Sequence, residues 1–284
     1  MKPPSFNYVR AKSVDDAVAA LVSGRGDAKL IAGGQSLVPM LNFRLLDANT
    51  FVDINDIEEL RGIEKRDGGG LRIGALTRHY DIETSAAVHD QFPILNVAMT
   101  HVAHLAIRNR GTLGGSLSHA DPAAELPALS LLLGARILTS SPTGGRSIET
   151  SDFFVGPLET ILEFNEIITS VEWPALPPGA GWGFEEFSQR SGDFAIAGAA
   201  AIIETKDGKV FRSRIVLFGV HDTPIRVFSA EAALITDGPA GAAAAAKASI
   251  SPINDLKASA DYRKHLAGVL VERVVSQALE RAGP

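Results

Sequence analysis

Lys29-Leu30-Ile31-Ala32-Gly33-Gly34-Gln35-Ser36-Leu37 carries an apolar, strand-like run straight into a glycine pair and a serine. The end of that spelling returns much later as Gly114-Gly115-Ser116-Leu117. Without a Cβ in the way, successive backbone N–H groups of such a turn can converge on an anion, and the serine hydroxyl adds a donor. One turn of this kind points to a phosphate, or only to a tight strand-to-helix bend; two point to a diphosphate held from both sides, and so to a dinucleotide cofactor. Charge-assisted amide bonds contribute about 1.5 to 3 kcal/mol each, so roughly four or five would hold a diphosphate without a lysine. Neither turn has the spelling of a nucleotide-hydrolysing phosphate loop or of the Rossmann turn.

Working outward, an extended Phe6–Val9, a helix capped by Ser13 and ended at Gly24, the strand Lys29–Ala32 and a strand Thr50–Ile54 give a β-α-β order, with Ser36 placed to cap a short turn through Leu41. Leu71–Ala75 reads as a strand and Thr77 opens a short helix. Pro93 starts an amphipathic helix whose stripe is Ile94, Ala98, Val102 and Leu105, ended by Arg108-Asn109-Arg110-Gly111. Asp121-Pro122 reads as the N-cap and first residue of a helix to Leu133, followed by strands at Arg136–Thr139 and Ile167–Trp173. The stretch Pro174–Gly183, with three prolines and three glycines, reads as a linker, which divides the chain into residues 1–176 (parts of about 1–56 and 57–176) and 177–284. Beyond it, Lys206-Asp207-Gly208-Lys209 joins two strands as a hairpin, and an alanine-rich helical region ends in a helix with Leu266, Val269, Leu270 and Val274 on one face.

The 284 residues carry a net charge of −6, so a nucleic-acid partner is not expected. No run of apolar residues is long enough to span a membrane and no export signal is legible, which gives a cytoplasmic expectation. With no cysteine, thiol nucleophiles, thiolate metal sites and cysteine-bound iron–sulfur clusters are excluded from this chain. Ser116, His119 and Asp121 lie within six residues, too close in sequence for a hydrolase triad that converges from separate segments. His101, His104, His119, Asp121 and Glu125 read either as a metal cluster or as packing and capping residues beside a cofactor. Arg108 and Arg110 either reach a phosphate or end a helix. Gln189–Phe194 is a turn into the next strand, or a lid whose Phe194 packs on a cofactor ring.

At Ala32–Leu41, at Ile107–Pro127 and at Arg190-Ser191-Gly192-Asp193-Phe194-Ala195 the sequence resembles the medium, FAD-binding flavoprotein subunit of the molybdenum hydroxylases, the group of carbon monoxide and xanthine dehydrogenases. The resemblance implies an α+β fold: a two-part FAD-binding domain, with a small α/β N-terminal piece and a larger α+β piece, then a C-terminal domain with a three-stranded antiparallel sheet and a helical bundle. It implies noncovalent FAD between the first two pieces, with Ala32, Gly33, Gly34, Gln35, Ser36 and Leu37 and then Thr112, Gly114, Gly115 and Ser116 around the diphosphate, and Ile31 and Gly111 also among the cofactor-binding residues. Val102 and Phe194 would lie beside the flavin, Asp121 or Glu125 would meet ribityl or ribose hydroxyls, and Ile168 would give a backbone contact. No residue of this chain is assigned acid–base catalysis and none binds metal.

Molybdopterin and two [2Fe–2S] clusters are expected only in a large and a small partner subunit, in a dimer of heterotrimers. Electrons would pass from the clusters through FAD to quinone, NAD or oxygen, in the cytoplasm or peripherally at the inner membrane face through the complex. Gln35 and Phe194 depart from the His and Tyr of the carbon monoxide enzymes, and the resemblance fixes no substrate. The reading from another class is a noncatalytic nucleotide-binding or assembly module that keeps the fold.

Overall fold

The computed structural model describes residues 2–46 and 48–283. β1 (Asn7–Arg10), α1 (Val14–Gly24), β2 (Ala28–Ile31), α2 (Leu37–Asn42) and β3 (Thr50–Asp53) alternate, and their strands form a parallel sheet in the order β1-β3-β2. Ser13 starts α1 by accepting the Asp16 amide at 3.0 Å. The left-handed residue that ends the helix is Arg25, at φ 48°, and the bare Cα of Gly24 instead lies against Ala28. This unit buries Ala17, Val18, Leu21 and Val52 and leans on the next unit through Leu60, Leu76 and Ile167.

The middle unit holds β4 (Ile63–Lys65), β5 (Leu71–Gly74), α3 (His79–Thr84), α4 (Ala86–Gln91), α5 (Pro93–His101), α6 (Leu105–Arg108), α7 (Leu113–His119) and α8 (Glu125–Leu133). After them come β6 (Arg136–Ser140), β7 (Ser147–Glu149), α9 (Thr150–Phe153), β8 (Phe154–Gly156), β9 (Glu159–Thr160) and β10 (Ile167–Trp173). β4-β5-β10-β6-β7 form an antiparallel sheet, and β8 with β9 makes a separate hairpin.

Two local expectations give way here. The Pro93 helix stops at His101, so Val102 and Leu105 leave the stripe that buries Ile94 and Ala98. Ala103 turns left-handed at φ 43°, and the Arg108 guanidinium, paired with Glu83 at 2.6 Å, donates to the Val102 and Ala103 carbonyls at 3.1 and 3.0 Å. Asp121 does not cap α8, which starts four residues later; its carboxylate accepts the Ala123 amide at 2.9 Å in a local turn.

β11 (Gly181–Phe187), β12 (Ala197–Lys206), β13 (Lys209–Phe218) and β14 (Ile225–Arg226) form the last antiparallel sheet, so a two-residue fourth strand extends the three expected. Asp207 and Gly208, at φ 53° and 71°, make the tight hairpin turn. α8 is buried almost all round because it fills the space between helices α5, α7 and α9 of the middle unit and one face of this sheet, where Leu126 and Leu129 share a core with Phe184, Val216 and Phe218. The other face carries α10 (Phe228–Ser249) and α11 (Ala260–Arg281), and α10 is kinked at Gly238, φ 70°. Gly181 and Gly183 belong to β11 rather than to the linker: a Cβ on Gly183 would lie 2.7 Å from the Val274 carbonyl carbon, so bare strand positions let α11 rest directly on the sheet.

Candidate functional site

A cavity of about 560 Å³ opens between the N-terminal and middle units, within the size range of small-molecule sites. Its first wall is the turn after β2. Gly34 there adopts φ 72°, and the Asn55 amide ties the turn down by donating to the Ala32 carbonyl at 2.7 Å. The Gln35 side chain donates to the Gly33 carbonyl at 2.9 Å, and Ser36 heads α2 without spending its hydroxyl on a cap. The amides of Gly33, Gly34, Gln35, Ser36 and Leu37 have no hydrogen-bond partner among the described residues. A row of unpaired N–H groups on a cavity wall calls for an acceptor from outside the chain.

The second glycine pair works differently from the expectation that both turns offer amides. It lies inside α7, and its amides are already spent: Leu113 on the Thr77 carbonyl (3.0 Å), Gly114 on the Ala75 carbonyl (2.8 Å), Gly115 on Thr112 Oγ1 (3.1 Å) and Ser116 on the Thr112 carbonyl (3.0 Å). Gly114 is bare because a Cβ would sit 2.8 Å from that of Ala75. What this segment brings to the cavity is the hydroxyls of Thr112 and Ser116 and the backbone of Gly111 and Gly115. The two segments touch through glycine: a Cβ on Gly33 would run into the Arg110 carbonyl, with its carbon at 2.7 Å and Gly111 Cα at 3.1 Å.

Beyond these turns the wall passes to Val102 and Ala103, and Gly192 of the C-terminal unit, φ 85°, packs against Ala103 and brings Asp193 and Phe194 to the rim. Phe194 is 46% exposed. Another side is built by Leu158, Glu159, Phe164 and neighbours around the β8–β9 hairpin, which docks where the Leu158 amide meets the carbonyl of Ala120, at 3.1 Å. Glu166 in that wall is held by Arg146, with both bonds at 2.7 Å, and by Thr139 at 2.6 Å; burial works against its charge, but these bonds bring its carboxyl below the usual range.

At three further groups on the wall, burial shifts the titration. Burial pushes His79 down to about 4, so its neutral ring donates Nε2–H to the Thr112 carbonyl at 3.0 Å, while Nδ1 has no partner among the described residues. Burial also lowers His119, against the pull of Asp121. Burial, and then the like charge of Glu186, push Glu125 up to about 8. Among the described residues Lys29 is the one Lys or Arg side chain on the wall, and no group of three or more His, Cys, Asp or Glu is placed to hold a metal.

The cavity thus brings together Ala32, Gly33, Gly34, Gln35, Ser36, Leu37, Val102, Gly111, Thr112, Gly115, Ser116, Asp121, Glu125 and Phe194. Ile31, Gly114 and Ile168 stand off its wall: Ile31 packs against the Leu41 and Phe51 cluster, Gly114 against Ala75, and Ile168 is buried in the middle core. Reasoning from sequence missed His79 and the Leu158–Glu166 arm. Neither has a local signature, since a histidine opening a short helix and an irregular hairpin become a wall only through tertiary contact.

The chain matches the family model for the FAD binding domain in molybdopterin dehydrogenase over residues 4–176, and that for the CO dehydrogenase flavoprotein C-terminal domain over 182–278. It is 45% identical to the 6-hydroxypseudooxynicotine dehydrogenase complex subunit alpha of Paenarthrobacter nicotinovorans, over 100% of this chain and 98% of that protein. It is 37% identical to the carbon monoxide dehydrogenase medium chain of Hydrogenophaga pseudoflava over 99% of each. A solved carbon monoxide dehydrogenase from Hydrogenophaga pseudoflava, lacking the Mo-pyranopterin moiety of its cofactor, superposes with a TM-score of 0.97 at 39% identity and full coverage of both chains. Family models matched across both parts of the chain, and a fold shared over its whole length with these subunits, place the chain in one family: it belongs to the FAD-binding medium subunits of the molybdenum-containing dehydrogenases.

Proposed function

We propose that this chain is the electron-transfer station of such a complex: FAD, bound noncovalently, takes electrons from iron–sulfur clusters of a small partner subunit and passes them to quinone, NAD or oxygen, while molybdopterin and substrate reside on a large partner. The observation that carries the reading is the row of unpaired amides at Gly33–Leu37, set across glycine contacts from the Thr112 and Ser116 hydroxyls. FAD supplies the redox chemistry, and the protein's part is to bind, orient and tune it.

In this reading the Ala32–Leu37 turn grips the diphosphate through its main chain, and Thr112 and Ser116 add hydroxyl donors from the other side. Val102 and Phe194 flank the ring system, with Phe194 as a movable cover. Asp121 or Glu125 meets sugar or ribityl hydroxyls. Residues 1–176 form the cofactor-binding domain and 177–284 close its far rim. The complex is a dimer of heterotrimers in the cytoplasm; no helix among the described residues is long and apolar enough to cross a membrane.

The chain, purified and supplied with FAD, should take up one flavin that trichloroacetic acid releases. Added to the partner subunits, the bound flavin should bleach when the complex receives its substrate under argon. Apoprotein that takes up no flavin refutes the proposal; flavin that binds but never bleaches in the assembled complex refutes the electron route.

A further inference from the structure

Arg78, immediately before α3, does not line the cavity, yet its guanidinium joins the two segments that do. One of its terminal nitrogens donates to the side-chain oxygen of Asn55 at 2.7 Å, the other to the Arg110 carbonyl. Asn55 is in turn engaged at every polar group. Its side-chain nitrogen donates to the Ala32 carbonyl and to Asp53 Oδ1, both at 2.7 Å, its backbone N–H donates to Asp53 Oδ1 at 2.8 Å, and its backbone carbonyl accepts from Arg61 at 2.6 Å. The contacts thus run from the residue before Gly33 to the residue before Gly111, bracketing the point at which those glycines bring the two walls together.

We propose that Arg78 is a positioning residue for the cofactor: acting through Asn55, it fixes the direction of the Ala32–Gly33 peptide and so aims the Gly33 amide at the diphosphate. The proposal rests on the FAD reading above.

The direction follows from donor and acceptor chemistry. A guanidinium only donates and a backbone carbonyl only accepts, so the Asn55 amide can lie one way alone, oxygen toward Arg78 and nitrogen toward Ala32. In a planar trans peptide the C=O and N–H point to opposite sides. With the Ala32 carbonyl held toward Asn55, the Gly33 N–H is turned away from that network, and on the cavity wall it has no partner among the described residues. Glycine leaves its own peptide free to rotate, and a rotated peptide would show the phosphates a carbonyl oxygen in place of an N–H. Lys29 is the one Lys or Arg side chain on the wall among the described residues, so the aim of each amide counts.

Apoprotein of wild type, Arg78→Met, Asn55→Ala and the double variant is titrated with FAD by fluorescence quenching, with urea unfolding to establish folding. Each single variant should bind at least about tenfold more weakly than wild type, the value of one lost charge-assisted bond. Because Arg78 acts through Asn55, adding Arg78→Met to Asn55→Ala should cost less than about threefold more. The readout that a merely structural role would not move is amide hydrogen exchange in the FAD-saturated proteins. The Gly33 N–H, protected in wild type, should exchange freely in both single variants, while the Leu37 N–H stays protected. Arg78→Lys keeps the charge but not the two-pronged reach; it stands in if Arg78→Met does not fold, and should expose Gly33 in the same way.

Losses that multiply in the double variant, unchanged FAD affinity in either folded single variant, or the Gly33–Leu37 amides all losing protection together would each overturn the aiming role while leaving FAD binding intact. No FAD uptake by wild-type apoprotein would instead refute the FAD reading, and this proposal with it.

Discussion

Gly33→Ala is the substitution on which the proposed site turns. The added methyl would meet the Arg110 carbonyl, whose carbon lies 2.7 Å from the ideal Cβ position, with Gly111 Cα at 3.1 Å. Both obstacles are backbone, so neither can swing aside, and the two cavity walls must separate. Overpacking of this kind costs about 1 to 3 kcal/mol of stability. Separation also pulls the amide row away from the Thr112 and Ser116 hydroxyls. Losing one or two charge-assisted bonds at about 1.5 to 3 kcal/mol each weakens FAD binding by roughly tenfold to about twenty-thousandfold, at about 1.4 kcal/mol per factor of ten.

Gly115→Ala is the milder comparison on the opposite wall, because its methyl would meet chiefly the Thr112 hydroxyl, at 2.7 Å, which can rotate at the cost of one donor while the two walls stay together. Apoprotein of each variant is titrated with FAD by fluorescence quenching, with a urea denaturation curve to confirm folding. Gly33→Ala should lose at least ten times more affinity than Gly115→Ala. Equal affinities in the two folded variants would refute the argument that the Gly33 approach aligns the cradle.

Three other outcomes follow from the same geometry. His79 is pushed down to about 4 by burial against an unfolded value near 6.5, so the unfolded chain binds the extra proton in between; stability is full above about pH 6.5 and falls as pH drops toward 4. Urea unfolding of the apoprotein should therefore lose about 2 to 3 kcal/mol more between pH 7.5 and 4.5 in wild type than in His79→Gln, and equal losses would contradict a buried neutral imidazole. Arg108→Met removes the donors that hold the Val102 and Ala103 carbonyls and should weaken FAD binding by about tenfold with the secondary structure intact by circular dichroism; unchanged affinity would mean the turn holds itself. Gly183→Ala pushes α11 off β11 and should lower unfolding free energy by about 1 to 3 kcal/mol, with FAD affinity at wild-type level in the folded protein.

The sequence was most legible where one residue type answers one local demand. Ser13 caps α1, Asp207-Gly208 supplies the two positive φ angles of a hairpin, and Gly34 supplies the one in the first turn. It was least legible where a distant group decides. The Pro93 helix has an apolar pattern that runs on past His101, and what stops it is Arg108, drawn back onto two carbonyls and anchored by Glu83. Gly114-Gly115-Ser116 spells an anion turn, yet the Ala75 carbonyl, far upstream, takes the Gly114 amide, and Thr112 takes those of Gly115 and Ser116. Gly181 and Gly183 look like linker residues until α11 lies on them. Glycine marks a close approach in each case, and only the fold says whether the approaching group is a ligand or another part of the chain.

The most direct test of the dinucleotide cradle is an amide-resolved NMR titration of the isotope-labelled apoprotein with FAD. The N–H signals of Gly33, Gly34, Gln35, Ser36 and Leu37 should move together and gain protection from solvent exchange, while Leu113, Gly114, Gly115 and Ser116, whose amides are spent inside the chain, should stay protected throughout. If FAD binds and the five amides after β2 neither shift nor gain protection, the diphosphate is held elsewhere and the site described above is wrong.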